Sequence, residues 1–302
     1  MPTVEVRPFR RDDRDQLAEL VNAHIGAVLP GVSVSVNTVM RQLEREPGEL
    51  IVDPWVVERR ALVALEREAI VVGALLHRYA DEDRVSDSYG DSGEIRWLVC
   101  RRDADAAGDA LVAAALEVMT AWGVSRRYAD VTLPALATYG VTDCWPHIAA
   151  LFERSGFVAR GHVEVILVAR VDELPRDVAP PFDGLALRRS VGDCGTRFTA
   201  VRGDDAFGII EVESDLTDGG TRSRLAGWSD IGNLLVGEPY RRRGVATWML
   251  VGAADWLRLG GIERLVAYAW PQHADELAFY ASAGFRELTR TRRGWVLEAP
   301  AR

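Results

Sequence analysis

The sequence predicts an α/β protein that consists of two similar domains in tandem. Three observations support this prediction: strand-like and helix-like apolar segments alternate along the chain, the two halves repeat the same order of segments, and a proline-rich acidic segment separates them. The chain has 302 residues, of which 48% are apolar, enough for one large or two ordinary cores. We expect a first domain over residues 1–172, a linker over 173–183 and a second domain over 184–302.

The first half begins with an apolar segment that alternates as a strand does, and Asp12 or Asp13 can cap the helix that follows. Pro47 limits the second helix, and Gly156 closes the last one. The elements predicted in chain order are strand 4–8, a helix to about residue 24, helix 37–44, strands 55–66 and 69–80, strand 94–100, helix 106–122, strand 129–133, helix 145–155 and strand 163–171.

The second half follows a segment, residues 172–183, that contains three prolines and four acidic residues and is typical of a linker. Its strands and helices repeat the order of the first half. The elements predicted in chain order are strands 185–188, 196–202 and 207–213, loop 214–227, strand 231–236, helix 246–259, strand 264–270, helix 274–282 and a final pair of strands that ends near Leu297.

The stretch from Val236 to Ala246 joins a buried strand to a helix through a basic turn that contains Arg241, Arg242, Arg243 and Gly244. A strand that enters a helix in this way directs several backbone N–H groups to one point. The helix dipole adds roughly half a positive charge there, so the turn is suited to bind an anion such as a diphosphate. By itself the turn is also compatible with a solvated basic loop or a nucleic-acid contact.

A second motif follows about 35 residues later, where Phe279-Tyr280 and Gly284-Phe285 end one helix and enter a strand. The pair of motifs, Arg-x-x-Gly-x-Ala and then Phe-Tyr-x-x-x-Gly-Phe, resembles the GNAT superfamily of acyl-CoA-dependent N-acyltransferases. The resemblance implies that each domain is a mixed, mostly antiparallel sheet flanked by helices. It also implies acetyl-CoA as co-substrate, with no metal.

The resemblance extends to the first half when Gly108 is aligned with Gly244. This alignment places Glu94 on Asp230, and the segment around Phe152 falls on the segment around Tyr280. The chain is therefore similar to two GNAT domains in tandem, and the resemblance covers almost all of it.

The resemblance implies a set of site residues in the second half. The carrier would be bound by main-chain groups of Leu234, Leu235 and Val236, by the turn residues Arg241, Arg242, Arg243, Gly244, Val245 and Ala246, and by His273. Tyr280 matches the family's general acid, and Asp230 lies where many members carry a basic glutamate. Other roles are open at this point: Tyr280 as a core aromatic residue, Asp230 as a strand-end residue and His273 as a neighbour of a helix cap.

The first half departs from the family pattern at the turn and at the tyrosine, and keeps a glutamate at the position of the base. Asp105 occupies the position of Arg241, and two more acids, Asp103 and Asp109, lie beside it, where they would repel a diphosphate. Phe152 replaces the tyrosine, and Glu94 remains at the position of the base. We expect a degenerate, non-catalytic first domain, and the sequence leaves open whether it binds acyl-CoA.

The halves also differ between their first two strands, where the first half has room for two helices and the second has only a few residues. In GNAT enzymes such helices help to wall the acceptor site. We hypothesise that the first half completes or blocks the acceptor pocket of the second.

Composition restricts the remaining classes of function. The three cysteines are scattered and the five histidines show no ligand spacing, so we expect no disulfide framework and no metal site. The net charge is −9, and an acidic first half argues against nucleic-acid binding and suits an amine. Because no segment approaches 18 continuous apolar residues and the N-terminus lacks a signal-peptide core, we expect a cytoplasmic protein that does not bind membranes.

The function predicted from these features is an acetyl-CoA-dependent N-acetyltransferase. It would act on an amine of a small molecule by direct attack on the thioester in the C-terminal domain. One alternative is a non-catalytic acyl-CoA-binding or regulatory tandem scaffold. A mycothiol-synthase-like or antibiotic-modifying acetyltransferase is a further alternative, and the sequence does not decide between a monomer and a homodimer.

Overall fold

The computed structural model describes residues 3–44, 55–82, 85–213 and 227–297. Residues 214–226 of the predicted loop 214–227 lie outside this part of the chain. The chain divides into two compact units: Met1–Val163 together with Thr291–Arg302, and Glu164–Arg290. No helix in the described residues combines the length and the apolar character needed to cross a membrane.

The first unit contains a mixed sheet with the strand order β1-β2-β3-β4-β5-β15-β7. Its neighbouring strands are antiparallel except for β4 and β5, which run parallel. The elements are β1 (Val4–Pro8), α1 (Arg14–Val28), α2 (Val36–Glu44), β2 (Val56–Glu66), β3 (Ala69–Tyr79), β4 (Ser92–Cys100), α3 (Asp105–Ala121), β5 (Arg126–Ala129), β6 (Val141–Thr142), α4 (Pro146–Arg154), β7 (Phe157–Ala159) and, from the chain end, β15 (Trp295–Leu297).

The second unit repeats this plan in a sheet with the strand order β14-β8-β13-β12-β11-β10-β9, in which β12 and β13 are parallel. Its core lies between the sheet and α5 and includes Ile210, Val212 and Met249, all fully buried. The elements are β8 (Val163–Arg170), β9 (Ala186–Gly192), β10 (Gly195–Arg202), β11 (Asp205–Glu213), β12 (Trp228–Val236), α5 (Val245–Leu259), β13 (Arg264–Ala269), α6 (Ala274–Ser282) and β14 (Arg286–Arg292).

The domain boundaries predicted from the sequence, 1–172 and 184–302, are wrong at both ends. Strand β8, predicted as the last strand of the first domain, pairs antiparallel with β13. Its alternate residues Val165, Leu167 and Ala169 are buried in the core of the second unit. Strand β15, which was predicted as part of the second domain, pairs with β5 and β7 in the first unit. Alternating hydrophobicity predicts a strand and its buried face, but it does not identify the sheet that the strand joins.

The predicted linker, residues 173–183, is also part of the second unit. Leu174 is 2% exposed in its core, and Phe182 packs against the same core. The Arg258 guanidinium donates hydrogen bonds to the carbonyls of Val171 and Leu174 at 2.6 and 3.0 Å. The prolines and acids of this segment predicted a linker, whereas its few apolar residues pack against the core of the second unit.

The predicted difference between the halves is present in the structure. In the first unit α1 and α2 lie between β1 and β2. In the second unit β9 and β10 form a hairpin whose turn is Asp193-Cys194. The face of the second sheet that is turned away from α5 therefore has no helix of this connection on it.

Candidate functional site

The turn between β12 and α5 has a backbone that exposes N–H groups. Arg242 and Gly244 both adopt left-handed conformations, with φ of 59° and 86°. Glycine reaches this region without strain, whereas an arginine there is unusual. Trp248 donates the first helical hydrogen bond of α5, to the Gly244 carbonyl at 3.0 Å. The N–H groups of Val245, Ala246 and Thr247 precede it and have no acceptor within the helix, as an anion site requires.

The three arginines of this turn point in different directions. Arg241 donates from Nε to the Val236 carbonyl at 3.1 Å. Arg242 Nη1 lies 4.0 Å from Asp275 Oδ1, and both side chains are largely exposed. The Arg243 guanidinium lies over the ring of Phe182, 4.5 Å from its centroid. The positive charge therefore surrounds the helix start, and Arg243 is held there by a weak cation–π contact.

Strands β12 and β13 separate next to this turn. They pair only from Trp228 to Asp230 on β12, and the rest of β12 continues without β13 beside it. Gly237 donates its N–H to Phe207 of β11 at 2.9 Å. Because successive residues of a strand direct their backbone groups to opposite sides, those of Leu234 and Val236 face the gap between β12 and β13. This agrees with the main-chain role predicted for them.

Leu235 does not fit that prediction. By the same alternation its N–H and C=O groups face β11, with which it pairs opposite Ile209. Its side chain is 59% exposed. Any contribution of Leu235 to a ligand must come from this apolar side chain and not from the main chain.

A bulge at Gly232 interrupts β12 beside the gap. Val212 lies opposite Ile231 and Glu211 opposite Asn233, so Gly232 is the extra residue. Asp230 lies opposite Glu213, and Glu211 and Glu213 are two residues apart on one face of β11. Asp230 and Asn233 consequently project from the same face of the sheet, one on each side of the bulge.

Asp230 is half-buried in an environment that favours its neutral form. Burial raises the pKa of its carboxyl group to about 6, with a further contribution from the charge of Glu213. The hydroxyl of Tyr268 donates a hydrogen bond to Asp230 Oδ2 at 3.2 Å and opposes the shift. A carboxylate whose pKa lies near neutrality is suited to accept and release a proton.

Tyr280 is a core residue of the second unit. Its side chain is 2% exposed, and its ring packs edge-on against Phe285 at 5.1 Å. Burial, and then the charge of Glu276, raise the pKa of its hydroxyl above the ordinary value. The structure thus gives Tyr280 the surroundings of a core aromatic residue, and its role as the general acid stays a prediction.

His273 precedes α6 and pairs with a residue of that helix. Its Nδ1 lies 3.2 Å from Glu276 Oε2, and the ring lies 5.3 Å from that of Trp270. About half of its side chain is exposed. These contacts agree with the interpretation as a neighbour of the helix cap, and no contact joins His273 to the turn before α5 within the described residues.

Comparison with known families decides the identity of this half. Residues 177–285 match the model of the acetyltransferase (GNAT) family. These residues, 177–285, are the GNAT domain of the chain. The turn, the separated strands and the core tyrosine described above all lie in this GNAT domain, and acyl transfer is the activity of its family. A search of curated proteins finds no match.

Solved structures give the same fold for the whole chain. A tandem GNAT protein from the clavulanic acid biosynthesis pathway superposes with a TM-score of 0.67 and 15% identity, covering 99% of this chain and 100% of that one. A GCN5-related N-acetyltransferase from Sphaerobacter thermophilus gives 0.60 and 15%, covering 97% and 94%. A fungal multi-domain β-N-acetylglucosaminidase with a glucosamine N-acetyltransferase region gives 0.64 and 16%, and there the chain covers 38% of the longer protein. These matches confirm the predicted tandem GNAT fold.

The first unit has this fold without the turn of the GNAT domain. Helix α3 begins at Asp105, which aligns with Arg241, whereas α5 begins four positions later in the alignment. Gly108 lies inside α3 and donates its N–H to Ala104 at 2.9 Å. Asp105 and Asp109 both accept hydrogen bonds from Arg154, at 3.0 and 3.1 Å. In α3, the backbone N–H groups that align with those of the GNAT turn therefore form hydrogen bonds within the helix. Two carboxylates also lie at the start of this helix.

Two histidines form hydrogen bonds with the backbone at the end of β4 in the first unit. Cys100 donates its N–H to His24 Nε2 at 3.2 Å, and its carbonyl accepts from His147 Nε2 at 2.8 Å. Cys100 aligns with Val236, whose groups face the gap in the GNAT domain. Burial lowers the pKa of both rings, that of His24 to about 4, so both are neutral. The two histidines therefore form hydrogen bonds with the N–H and carbonyl groups of Cys100, which would otherwise be available to a ligand.

A cavity of about 430 Å³ adjoins these histidines on the side of α1. Residues that line it include Gln16, Leu20, His24, Arg101, Trp145 and His147. Neither the cavity nor the roles of the two histidines could be predicted, because the residues lie far apart in the sequence and have no shared spacing.

Glu94, at the aligned position of the base, is enclosed in the first unit. It is 1% exposed, accepts a hydrogen bond from the Tyr79 hydroxyl and lies 3.4 Å from Arg96 Nη1. Burial raises the pKa of its carboxyl group. Phe152, at the aligned position of Tyr280, is fully buried and carries no proton to donate. That the first domain is non-catalytic stays a prediction.

Proposed function

We propose that the protein is an acetyl-CoA-dependent N-acetyltransferase that acts on an amine of a small molecule, with catalysis in the GNAT domain of the second unit. One observation carries the proposal. Within the described residues, it is the second unit that combines a left-handed arginine turn before a helix, a strand with main-chain groups facing a gap, and a carboxylate with a pKa of about 6 on that strand.

Each of these features has a part in the proposed reaction. The N–H groups at the start of α5, with Arg241, Arg242 and Arg243 around them, would hold the diphosphate of the carrier. The backbone groups of Leu234 and the N–H of Val236 would pair with amides of the pantetheine arm, since the Val236 carbonyl already accepts from Arg241. Binding the carrier along β12 would place the thioester near the bulge and beside Asp230, which supplies proximity to the base.

The chemical steps then need one base and one acid. The lone pair of the amine attacks the thioester carbonyl, and a C–N bond forms as the C–S bond breaks. Asp230 takes the proton that the amine loses, and Tyr280 donates a proton to the departing thiolate. Direct attack is supported by Cys194, the cysteine near this site, because burial raises the pKa of its thiol and keeps it in the non-nucleophilic form.

The proposal is tested by thiol release from acetyl-CoA across a panel of small amines that includes cysteinyl sugars and aminoglycosides. We expect release with at least one amine. Tyr280→Phe is expected to lower kcat by about 10- to 10⁴-fold, since the phenyl ring keeps the packing and loses the acid. Binding of acetyl-CoA with no release from any amine would favour a carrier-sensing scaffold. An unchanged kcat in Tyr280→Phe would remove Tyr280 from the mechanism.

A further inference from the structure

A row of polar side chains crosses three strands of the second unit on the face turned away from α5. Arg197 of β10 lies opposite Glu211 of β11, and Glu211 lies opposite Asn233 of β12. The residues on either side of Glu211, Ile210 and Val212, are buried in the core beneath α5. Because side chains alternate along a strand, Glu211 and its two partners project from the opposite face.

The Glu211 carboxylate is fully buried and accepts hydrogen bonds from four groups. The backbone N–H groups of Asp193 and Cys194 each donate to it at 3.2 Å. Arg197 Nε donates to Oε1, and Asn233 Nδ2 donates to Oε2 at 2.7 Å. Burial acts to raise the pKa of Glu211, but these hydrogen bonds outweigh it and the pKa lies below its ordinary value. Glu211 is therefore ionised and can only accept hydrogen bonds.

This fixed charge determines how the amide of Asn233 is oriented. An ionised carboxylate has no proton to give, so Asn233 must turn its NH₂ group to Glu211 and not its oxygen. The same NH₂ group also lies 3.6 Å from Cys194 Sγ. The side-chain oxygen is directed away from both and has no hydrogen-bond partner among the described residues. The contacts thus fix the orientation of the Asn233 side-chain oxygen, a carbonyl-type acceptor.

The acceptor lies on the same face of β12 as the base of the proposed reaction. Asn233 and Asp230 share this face on either side of the Gly232 bulge, and Gly232 itself is exposed. Asp230 accepts one proton from the attacking amine. A primary amine carries a second N–H at that moment, and a hydrogen-bond acceptor on the other side of the bulge is suited to receive it.

We propose that Asn233 is a specificity-determining residue that makes the GNAT domain select primary over secondary amines. Its side-chain oxygen accepts the N–H that remains on the nitrogen while the other proton passes to Asp230, and Glu211 positions the amide for this contact. The inference rests on the proposed function. With a secondary amine a methyl group replaces the remaining N–H, so the oxygen loses its partner while desolvated, an arrangement that selects strongly against such substrates.

The test compares kcat/KM for a primary amine substrate and for its N-methyl analogue. The wild-type protein is expected to prefer the primary amine by at least about 10-fold, and Asn233→Leu to bring the ratio to within about 3-fold. Leucine keeps the branched shape of asparagine and removes the acceptor. Val191→Ala, a change at a side chain that is 90% exposed on the β9–β10 hairpin, is the control and should keep the wild-type ratio.

A second variant covers the case in which Asn233→Leu does not fold. Glu211→Gln keeps the shape of the side chain but offers both a donor and an acceptor, so the amide of Asn233 is no longer forced into one orientation. The preference for the primary amine should fall here as well, while the Kd of acetyl-CoA is unchanged. Thermal unfolding of each variant identifies any loss of structure.

The outcomes separate this inference from the proposed function. Turnover with an unchanged ratio in the folded variants would overturn the role of Asn233 and leave the acetyltransferase intact. Binding of acetyl-CoA without acetylation of any amine by the wild-type protein would overturn the proposed function and this inference with it.

Discussion

Asp230→Asn is expected to lower kcat/KM for the amine by about 10²- to 10⁴-fold, the range found when a general base is removed. Asparagine keeps the size of the side chain and an oxygen for the Tyr268 hydroxyl, so the change removes little except the ability to accept a proton. The measurement is steady-state thiol release at saturating acetyl-CoA. Asp255→Asn, the same change at a side chain that is 59% exposed on α5, is the control and should retain wild-type activity.

The pH dependence gives this prediction a second readout. Asp230 must be ionised to act as base, and its pKa is about 6, so wild-type kcat/KM, expressed per concentration of neutral amine, should rise with pH through about 6 and then level off. The residual activity of Asp230→Asn should lack this rise. Wild-type activity that does not change between pH 5 and 7, or a variant that keeps the rise, would assign the base to another group.

Asp230→Asn should increase the stability of the protein while it lowers the activity. The pKa of Asp230 is raised from 3.8 to about 6 in the folded protein, so the folded state disfavours the ionised form. The contribution of this group to stability is full below pH 3.8 and is lost as pH rises through about 6. At pH 7 Asp230→Asn should therefore increase the free energy of unfolding by about 1–3 kcal/mol. A less stable variant would mean that lost activity reflects lost structure.

The second large effect is expected from truncation. A chain of residues 184–302 should not fold, because it lacks β8, the strand between β13 and β14 in the second sheet. Burial of Val165 and Leu167 alone contributes about 1.5–3 kcal/mol each, and β13 also loses its antiparallel partner along six residues. The truncated chain also retains β15, whose partners β5 and β7 belong to the first unit.

The matched control for this truncation is the segment 164–290, which is the second unit as the structure divides the chain. We expect cooperative thermal unfolding for 164–290 and none for 184–302, measured by circular dichroism. Cooperative unfolding of 184–302 would show that the sequence boundaries describe an autonomous domain and that β8 is dispensable.

The sequence predicts the local features of the fold well. Most strands and helices lie within a few residues of their predicted bounds, and helix 274–282 begins and ends as predicted. Local periodicity determines these features, because each depends on which face of a short segment is apolar. Pairing between distant strands leaves no such local signal. The exchange of β8 and β15 between the sheets could therefore not be predicted.

The candidate site likewise has residues that the local sequence predicts and residues that depend on the pairing of distant strands. The motif predicts roles for the turn residues, Asp230 and Tyr280, because they lie within short segments of fixed spacing. It could not identify Glu211, because the carboxylate acts on Asn233 across strands 22 residues apart in sequence. Nor could it show that the backbone of Leu235 faces β11, since this depends on the register of β12.

The first unit lacks the turn of the GNAT domain, for reasons that the sequence showed only in part. The acids at the start of α3 are evident in the sequence, but the earlier start of the helix and the capping of Cys100 by His24 and His147 are not. Both changes remove backbone groups that a ligand would need. This supports a single carrier site for each chain.

The central claim is that the arginine turn before α5 binds the carrier and that the first unit does not. Isothermal titration of the full chain with acetyl-CoA tests it most directly. We expect one site per chain in the wild-type protein and a Kd at least about 10-fold higher in Arg241→Glu, a loss of about 1.4 kcal/mol or more. Arg188→Glu, an exposed position on the edge strand β9, should bind as the wild type does. Two sites per chain, or one site whose Kd is unchanged in Arg241→Glu, would contradict the claim.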